Sequence, residues 1–173
     1  MYIEDREFIQ VLRGLSEEDL RKLVRAFFAK NISGGNVQPL HGPGEHGKDA
    51  VAVVDSLEDP LGRTQILFIQ VKKGDISLTE WTNRIVGQMQ EALNTLEADY
   101  PRGTSKDHPR RLLLFLSGEL MPEASSAISN WNRTQPVPVE VFNIFDIQKL
   151  FVKYGMKPSD FPDLLALAKT LGL

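Results

Sequence analysis

Two neighbouring apolar segments of the chain carry an acid, an amide and a lysine with complementary chemistry. Segments 49–57 and 64–72 are rich in β-branched residues and flank a turn containing proline and glycine, which predicts a β-hairpin. In the expected pairing Asp49 faces Lys72, and because strand side chains alternate between faces, Gln70 shares the face of Lys72. The sequence therefore predicts that three polar side chains converge at one end of a hairpin.

Groups of this kind can hydrolyse a phosphodiester. A carboxylate and an amide oxygen are hard ligands suited to Mg²⁺, and the backbone carbonyl of Val71 adds a further oxygen. The Lys72 ammonium can orient the attacking water and stabilise negative charge on the phosphorus centre. Glu45, in the glycine-rich segment 41–48, is a further candidate acid near Asp49. The alternative interpretation is a surface salt bridge at the end of a hairpin.

The elements that must position these residues begin with an amphipathic helix. Ser16 and Asp19 are typical of a helix start, with acids in the first turn. Five apolar residues then follow at helical spacing: Leu20, Leu23, Val24, Phe27 and Phe28. A shorter helix is predicted over residues 8–12. The first helix therefore offers one apolar face to the rest of the domain.

Helices and strands alternate after the hairpin. Further strands are predicted over 37–40, 112–116 and 137–142, and further helices over 76–100, 121–131 and 147–154. This order predicts an α/β domain with a mixed sheet. Because no composition shift marks a second domain, residues 1–173 are expected to form one domain, with a core at about 16–155 and a C-terminal helix at about 158–172.

Composition excludes several function classes. The 173 residues contain no cysteine, which excludes disulfides, a thiolate nucleophile and cysteine-ligated metals. The longest apolar run, residues 112–116, is far shorter than the ~20 residues of a membrane span, so we expect a cytoplasmic protein without a membrane partner. Twenty basic against 23 acidic residues give a net charge of −3. Nucleic acid, if bound, would meet a local basic patch rather than a basic surface.

Three stretches together resemble one family. They are Gly44-Glu-His-Gly-Lys-Asp49, the apolar hairpin, and Ile69-Gln-Val-Lys-Lys73. This pattern is similar to the PD-(D/E)xK nuclease superfamily, and its glutamine is typical of the Mrr-like restriction endonuclease branch. Segments 112–118 and 139–150 resemble the later strands of that branch. The resemblance covers roughly 16–155 and implies a restriction-endonuclease-like α/β fold, in which helices flank a central mixed β-sheet with a catalytic β-hairpin.

The resemblance also implies roles at the centre of the site. Asp49 would be the metal-ligating aspartate and Lys72 the catalytic lysine. Gln70 would stand where most members have an acid, and Glu45 matches the acid of the glycine turn. Asp49, Gln70, Glu45, the Val71 carbonyl and an acid on the first helix would hold Mg²⁺, with Mn²⁺ as a substitute.

Further roles lie around this centre. Many members have an acid on the first helix, for which Glu18 is the nearest candidate, although Arg21 stands where an acid would be expected. On the long helix Gln88 or Gln90 is a candidate to face the site. Lys73, Gln88 and His46 are candidate substrate contacts, and Arg102, Lys106, Arg110 and Arg111 are candidates to hold a DNA backbone.

The function implied is that of a metal-dependent endonuclease that hydrolyses DNA phosphodiester bonds. It would serve in restriction or phage defence, or as the effector domain of a larger defence protein. A chain of this size has little room for its own sequence reader, so a homodimer or a multidomain assembly is expected. Two alternatives stay open: a non-catalytic nucleic-acid-binding or assembly module on the same fold, and a nuclease that acts on RNA or branched DNA.

Overall fold

The computed structural model describes residues 5–31, 36–39, 50–55, 64–99 and 109–156. The predicted C-terminal helix lies outside these ranges. The helices are α1 (Asp5–Gly14), α2 (Glu17–Asn31), α3 (Leu78–Glu80), α4 (Val86–Asp99), α5 (Pro122–Asn132) and α6 (Ile144–Lys153). The strands are β1 (Asn36–Pro39), β2 (Ala50–Asp55), β3 (Thr64–Lys72), β4 (Arg110–Leu116) and β5 (Val139–Phe142). None of the described helices has the length and hydropathy needed to span a membrane.

The five strands form one mixed sheet in the order β1-β2-β3-β4-β5. The β1–β2 and β2–β3 pairs are antiparallel, whereas β3–β4 and β4–β5 are parallel. Parallel strands need a crossover connection, which is usually helical. A helical segment lies between β3 and β4 and between β4 and β5, so the order of the elements allows these parallel pairs. The predicted mixed α/β architecture is thereby confirmed.

The hairpin pairing differs from the predicted one by two residues. Ala50 pairs with Ile69, whereas the predicted pairing of Asp49 with Lys72 would have set Ala50 opposite Val71. Ala50 and Ala52 lie in one apolar layer with their partners Ile69 and Leu67. A shift of two residues preserves the faces, since the side-chain period of a strand is two.

Helices cover both faces of the sheet. Alternate β3 residues Leu67, Ile69 and Val71 belong to a core cluster with α1, α2 and α6. Ile66 and Phe68 belong to a second cluster that includes residues of α4 and α5. Because strand side chains alternate between faces, Gln70 and Lys72 share the face of Ile66 and Phe68. This is the face of the sheet that α4 and α5 cover.

The long helix predicted over 76–100 is interrupted by a π-helical turn. Trp81–Ile85 forms this turn between α3 and α4, so the chain is helical from 78 to 99. Trp81, Ile85 and Met89 recur every fourth residue and are all buried. Trp81 packs edge-on against Trp131 of α5 at 5.8 Å between ring centroids. These residues therefore form one buried face of the helical segment.

Two loops brace the carboxyl edge of the parallel strands. The Gly74 amide donates to Ser117 Oγ at 3.0 Å, and the Glu119 amide donates to Asp75 Oδ1 at 2.7 Å. A side chain on Gly118 would lie 2.3 Å from the Gly74 carbonyl carbon, so only glycine fits there. These contacts fix the chain directly after Lys72, the last residue of β3.

Side-chain caps define two helix starts. Ser16 Oγ accepts from the Asp19 amide at 3.1 Å, as the sequence predicts, and its hydroxyl donates to the Asp19 carboxylate, which lowers the pKa of Asp19. Asn143 and Asp146 form a reciprocal capping box at α6. Because of this box, α6 begins at Ile144, three residues before the predicted start.

Candidate active site

The end of β3 holds polar side chains in a buried position. Among the described residues, the fully buried polar side chains are Gln70, Lys72 and Ser117, with 4%, 3% and 1% of their surface exposed. Lysine is almost never fully buried unless it is paired, and buried polar groups are expensive without partners. Packing alone therefore does not account for the burial of Gln70 and Lys72, and their burial depends on the groups around them.

Glu17, the first residue of α2, gives Lys72 a counter-charge. Lys72 Nζ lies 3.9 Å from Glu17 Oε1. The same oxygen accepts from Arg21 at 2.7 Å, and Glu17 Oε2 accepts from the Lys73 amide at 3.4 Å. A carboxylate at this distance offsets part of the cost of burying the ammonium. The Lys72 ammonium therefore lies within ion-pair distance of the first residue of α2.

Gln70 carries a buried oxygen that nothing described satisfies. No described residue donates a hydrogen bond to Gln70 Oε1, although the atom is shielded from solvent. The surrounding crevice is lined mostly by apolar residues, including Phe68, Met89 and Ala92. An orphaned carbonyl oxygen of this kind costs ~1–3 kcal/mol, and amide oxygens are hard ligands. The donor therefore suits an oxygen-preferring metal such as Mg²⁺.

Three predicted site residues in and next to the glycine-rich segment lie outside the described residues. They are Glu45, His46 and Asp49. Ala50, the residue after Asp49, is paired with Ile69, the residue before Gln70. Within the described ranges no three His, Cys, Asp or Glu side chains are grouped to hold a metal. The Val71 side chain is buried in the opposite core layer, and a ligand role for its carbonyl stays a prediction.

The first-helix acid that contacts Lys72 is Glu17, not Glu18. The Glu18 side chain is 46% exposed and pairs with Arg21 Nη1 at 3.4 Å. Sequence reasoning missed Glu17, although two signals for it were present. The Ser16 cap makes Glu17 the first helical residue, and Arg21 follows one turn later at the i+4 position typical of an ion pair.

Between the two candidate glutamines, the structure favours Gln88. It is half-buried, and no described residue hydrogen-bonds its shielded Oε1. Gln90 is exposed and donates to Asn94 Oδ1 at 3.3 Å within the helix. Lys73 is exposed next to the site. Substrate contacts by Gln88 and Lys73 stay predictions.

The two described members of the predicted basic set lie far from Lys72. Arg110 and Arg111 begin β4, while Lys72 is level with Leu116 at its end. Six residues of strand separate these levels by about 20 Å. Arg111 forms a two-pronged ion pair with Glu140 of β5, with Nε 2.6 Å from Oε1. Lys72, Lys73 and Arg21 are the described basic residues near the end of β3.

Comparison with known proteins finds likeness in solved structures only. No family model and no curated protein matches the sequence. The structure of the restriction endonuclease FokI bound to DNA matches with a TM-score of 0.57 and 15% identity, over 90% of this chain and 28% of that one. The DNA modification-dependent restriction endonuclease AspBHI matches with a TM-score of 0.57 and 12% identity, over 96% of this chain and 40% of that one.

This chain thus spans well under half the length of both proteins. At these identities the likeness concerns the fold, which agrees with the mixed sheet and flanking helices described above. The protein has a restriction-endonuclease-like fold.

Proposed function

We propose that this protein is a metal-dependent endonuclease of the Mrr-like, Gln-x-Lys branch, which hydrolyses DNA phosphodiester bonds. The observation that carries the proposal is the buried Gln70 and Lys72 pair at the end of β3. An apolar-faced strand has no structural need for two such residues on one face, whereas phosphodiester hydrolysis needs an oxygen ligand and a cation side by side. One of the matched structures is a restriction endonuclease bound to DNA, which supports DNA as the substrate class.

The metal would be Mg²⁺, with Mn²⁺ as a substitute. We assign its ligands as Asp49, Gln70 Oε1, the Val71 carbonyl and Glu45. The orphaned Gln70 oxygen supports this set, since it lacks any described donor. Chain connectivity supports Asp49, because Ala50 is paired beside Gln70. When bound, the cation would polarise the phosphate and lower the pKa of the attacking water.

The side chains then have distinct tasks. The Lys72 ammonium would stabilise the negative charge that develops on the phosphate oxygens, which is strongest in a site that excludes water. Glu17 keeps that ammonium in place, 3.9 Å away. Lys73, Gln88 and His46 would contact the substrate. Phosphate contacts of this kind orient the scissile bond without reading sequence.

The biological setting follows from the same comparison. FokI and AspBHI are restriction endonucleases, which supports a role in restriction or phage defence. This chain covers only part of each, so we propose that it works as a homodimer or as the effector domain of a larger assembly.

The experiment is a cleavage assay on supercoiled plasmid with Mg²⁺, Mn²⁺ or EDTA. We expect nicking or linearisation with either metal and none with EDTA. Parallel arms with single-stranded RNA and a branched DNA junction distinguish the substrate classes. Cleavage of RNA alone would contradict the proposed substrate, and metal-independent DNA binding without cleavage would indicate a non-catalytic binding module.

A further inference from the structure

The outer side of β5 is one edge of the sheet that the described residues form. There β5 is the last strand, and it pairs with β4 on its other side. Successive residues of a strand direct their backbone N–H and C=O groups to opposite sides. The Ile144 amide donates to the Gly118 carbonyl, on the β4 side, at 3.0 Å. Alternation therefore directs the backbone groups of Val139 and Val141, and the amide of Asn143, to the outer side.

Side chains of the protein already bind the backbone at two of these three positions. Asn132 Nδ2 donates to the Val139 carbonyl, and Asn132 Oδ1 accepts from the Val139 amide, both at 2.9 Å. Asp146 Oδ2 accepts from the Asn143 amide at 3.2 Å. Asn132 therefore gives Val139 the donor and the acceptor that a neighbouring strand would otherwise supply.

Val141, between these two positions, is the open part of the edge. Among the described residues, none hydrogen-bonds its outward amide or carbonyl, and the residue is half-buried. An exposed strand edge is a template for pairing with another chain, and natural proteins block such edges. With Val139 bound by Asn132, two antiparallel copies of β5 can form one hydrogen-bonded pair, Val141 with Val141.

Release of Val139 would double this pairing. Val139 of each copy would then face Val141 of the other, and each of these two pairs exchanges two hydrogen bonds. Glu140 would face Glu140 of the second copy, but its carboxylate is already paired with Arg111 of its own chain. The charge on Glu140 is therefore partly neutralised, and the Asn132 side chain is the main obstacle to this pairing.

We infer that Asn132 is an edge guard, which keeps two copies of this chain from joining their sheets through β5. The excluded partner is a second copy, because antiparallel pairing makes the Val139–Val141 edge complementary to itself. The inference goes beyond the proposed nuclease activity and does not depend on it. For that proposal, it directs any homodimer contact to a surface other than β5.

The test is the mass of the full chain in solution, measured by sedimentation velocity over a concentration series. We expect Asn132→Ala to reach a mass about twice that of the wild type, as one further pairing of copies requires. Asn130→Ala, an exposed position of the same helix, is the matched control and should leave the mass unchanged.

A second substitution shows whether the association uses the edge of β5. Val141→Pro removes the outward N–H that both pairs need, and proline is tolerated in an edge strand where its nitrogen faces outward. The variant Asn132→Ala with Val141→Pro should therefore return to the wild-type mass. An increase in mass that survives Val141→Pro would overturn the inference. So would an unchanged mass in folded Asn132→Ala, since Asn132 would then only tie the loop between α5 and β5.

Amide hydrogen exchange of the wild type, followed by NMR, tests the edge without any substitution. We expect the Val141 amide to exchange faster than those of Val139, bound by Asn132, and Phe142, on the β4 side. This measurement decides the question if circular dichroism shows that Asn132→Ala does not fold. A Val141 amide as protected as its two neighbours would overturn the inference, because the edge would then already be paired.

Discussion

At Gln70 the requirements of stability and of the proposed function conflict. Its buried Oε1 accepts no hydrogen bond from the described residues, and a buried oxygen without a donor is costly. Residues placed against local stability are expected at functional sites. Replacing Gln70 therefore tests the proposed function through stability and metal binding, without an activity assay.

We predict that Gln70→Met stabilises the protein and weakens Mn²⁺ binding. The thioether fills the apolar crevice without a carbonyl to satisfy, so the free energy of unfolding should rise by ~1–3 kcal/mol. Urea denaturation and calorimetric Mn²⁺ titration measure the two effects. Gln90→Met, at an exposed position of α4, is the matched control and should stay within ~0.5 kcal/mol of the wild type. A lower free energy of unfolding in Gln70→Met would indicate that the Gln70 side-chain amide is hydrogen-bonded in the folded protein.

At the residue scale, the sequence predicted part of the arrangement at the end of β3. The alternation of β3 predicted that Gln70 and Lys72 share a face, and the structure agrees. Glu18 was named in place of Glu17, although the apolar stripe of the helix already sets its phase. Contact with Lys72 depends on how α2 is packed on the sheet, which is a tertiary property.

At the scale of elements, the two loops at the carboxyl edge hold the end of β3. Gly118 lies against the backbone of Gly74 and Asp75, where a Cβ would approach to 2.3 Å. We predict that Gly118→Ala lowers the free energy of unfolding by ~1–3 kcal/mol, since backbone cannot move aside as a side chain can. Urea denaturation measures the change.

Gly87→Ala is the matched control within α4. A Cβ there meets nothing within 4 Å, so alanine should raise the free energy of unfolding by ~0.5–1 kcal/mol through helix propensity. Opposite signs for the two substitutions are the expected result. Equal effects would contradict the packing described for the carboxyl edge.

The capping box of α6 gives a second prediction for an element. Asn143→Ala removes an oxygen that accepts from the Phe145 and Asp146 amides, at 2.9 and 3.1 Å. Loss of such a cap costs ~1 kcal/mol, which corresponds to a Tm lower by ~2–4 °C in a chain of this size. Thermal denaturation followed by circular dichroism checks this. Asn130→Ala, at an exposed position in α5, should not lower the Tm.

The elements themselves were largely predictable. The bounds of β3 agree with the prediction, because the apolar run is long and ends in charged residues. The hairpin pairing was wrong by two residues, since the turn sequence allows several loop lengths and a shift of two residues keeps every side chain on its face. The π-helical turn of Trp81–Ile85 was not predicted, because one wide turn leaves almost no trace in residue spacing.

At the scale of the whole molecule, the fold explains where the site lies. Three parallel strands end at one edge of the sheet, and α3, α5 and α6 start from that edge. Open α/β sheets bind their ligands beyond the carboxyl ends of such strands. Lys72 lies at this edge, whereas the Arg111–Glu140 pair lies towards the start of β4. The order of the elements predicted the mixed α/β class. That Lys72 and the Arg111–Glu140 pair lie at different ends of the strands could be seen only from the sheet pairing.

The most direct test of the central claim compares two lysines. Lys72→Ala removes the buried cation, and Lys149→Ala removes a 78% exposed lysine on α6. On supercoiled plasmid with Mg²⁺ we predict at least ~100-fold slower cleavage for Lys72→Ala, with a Tm close to that of the wild type, and unchanged cleavage for Lys149→Ala. Metal-dependent cleavage that persists at the wild-type rate in Lys72→Ala would contradict the account.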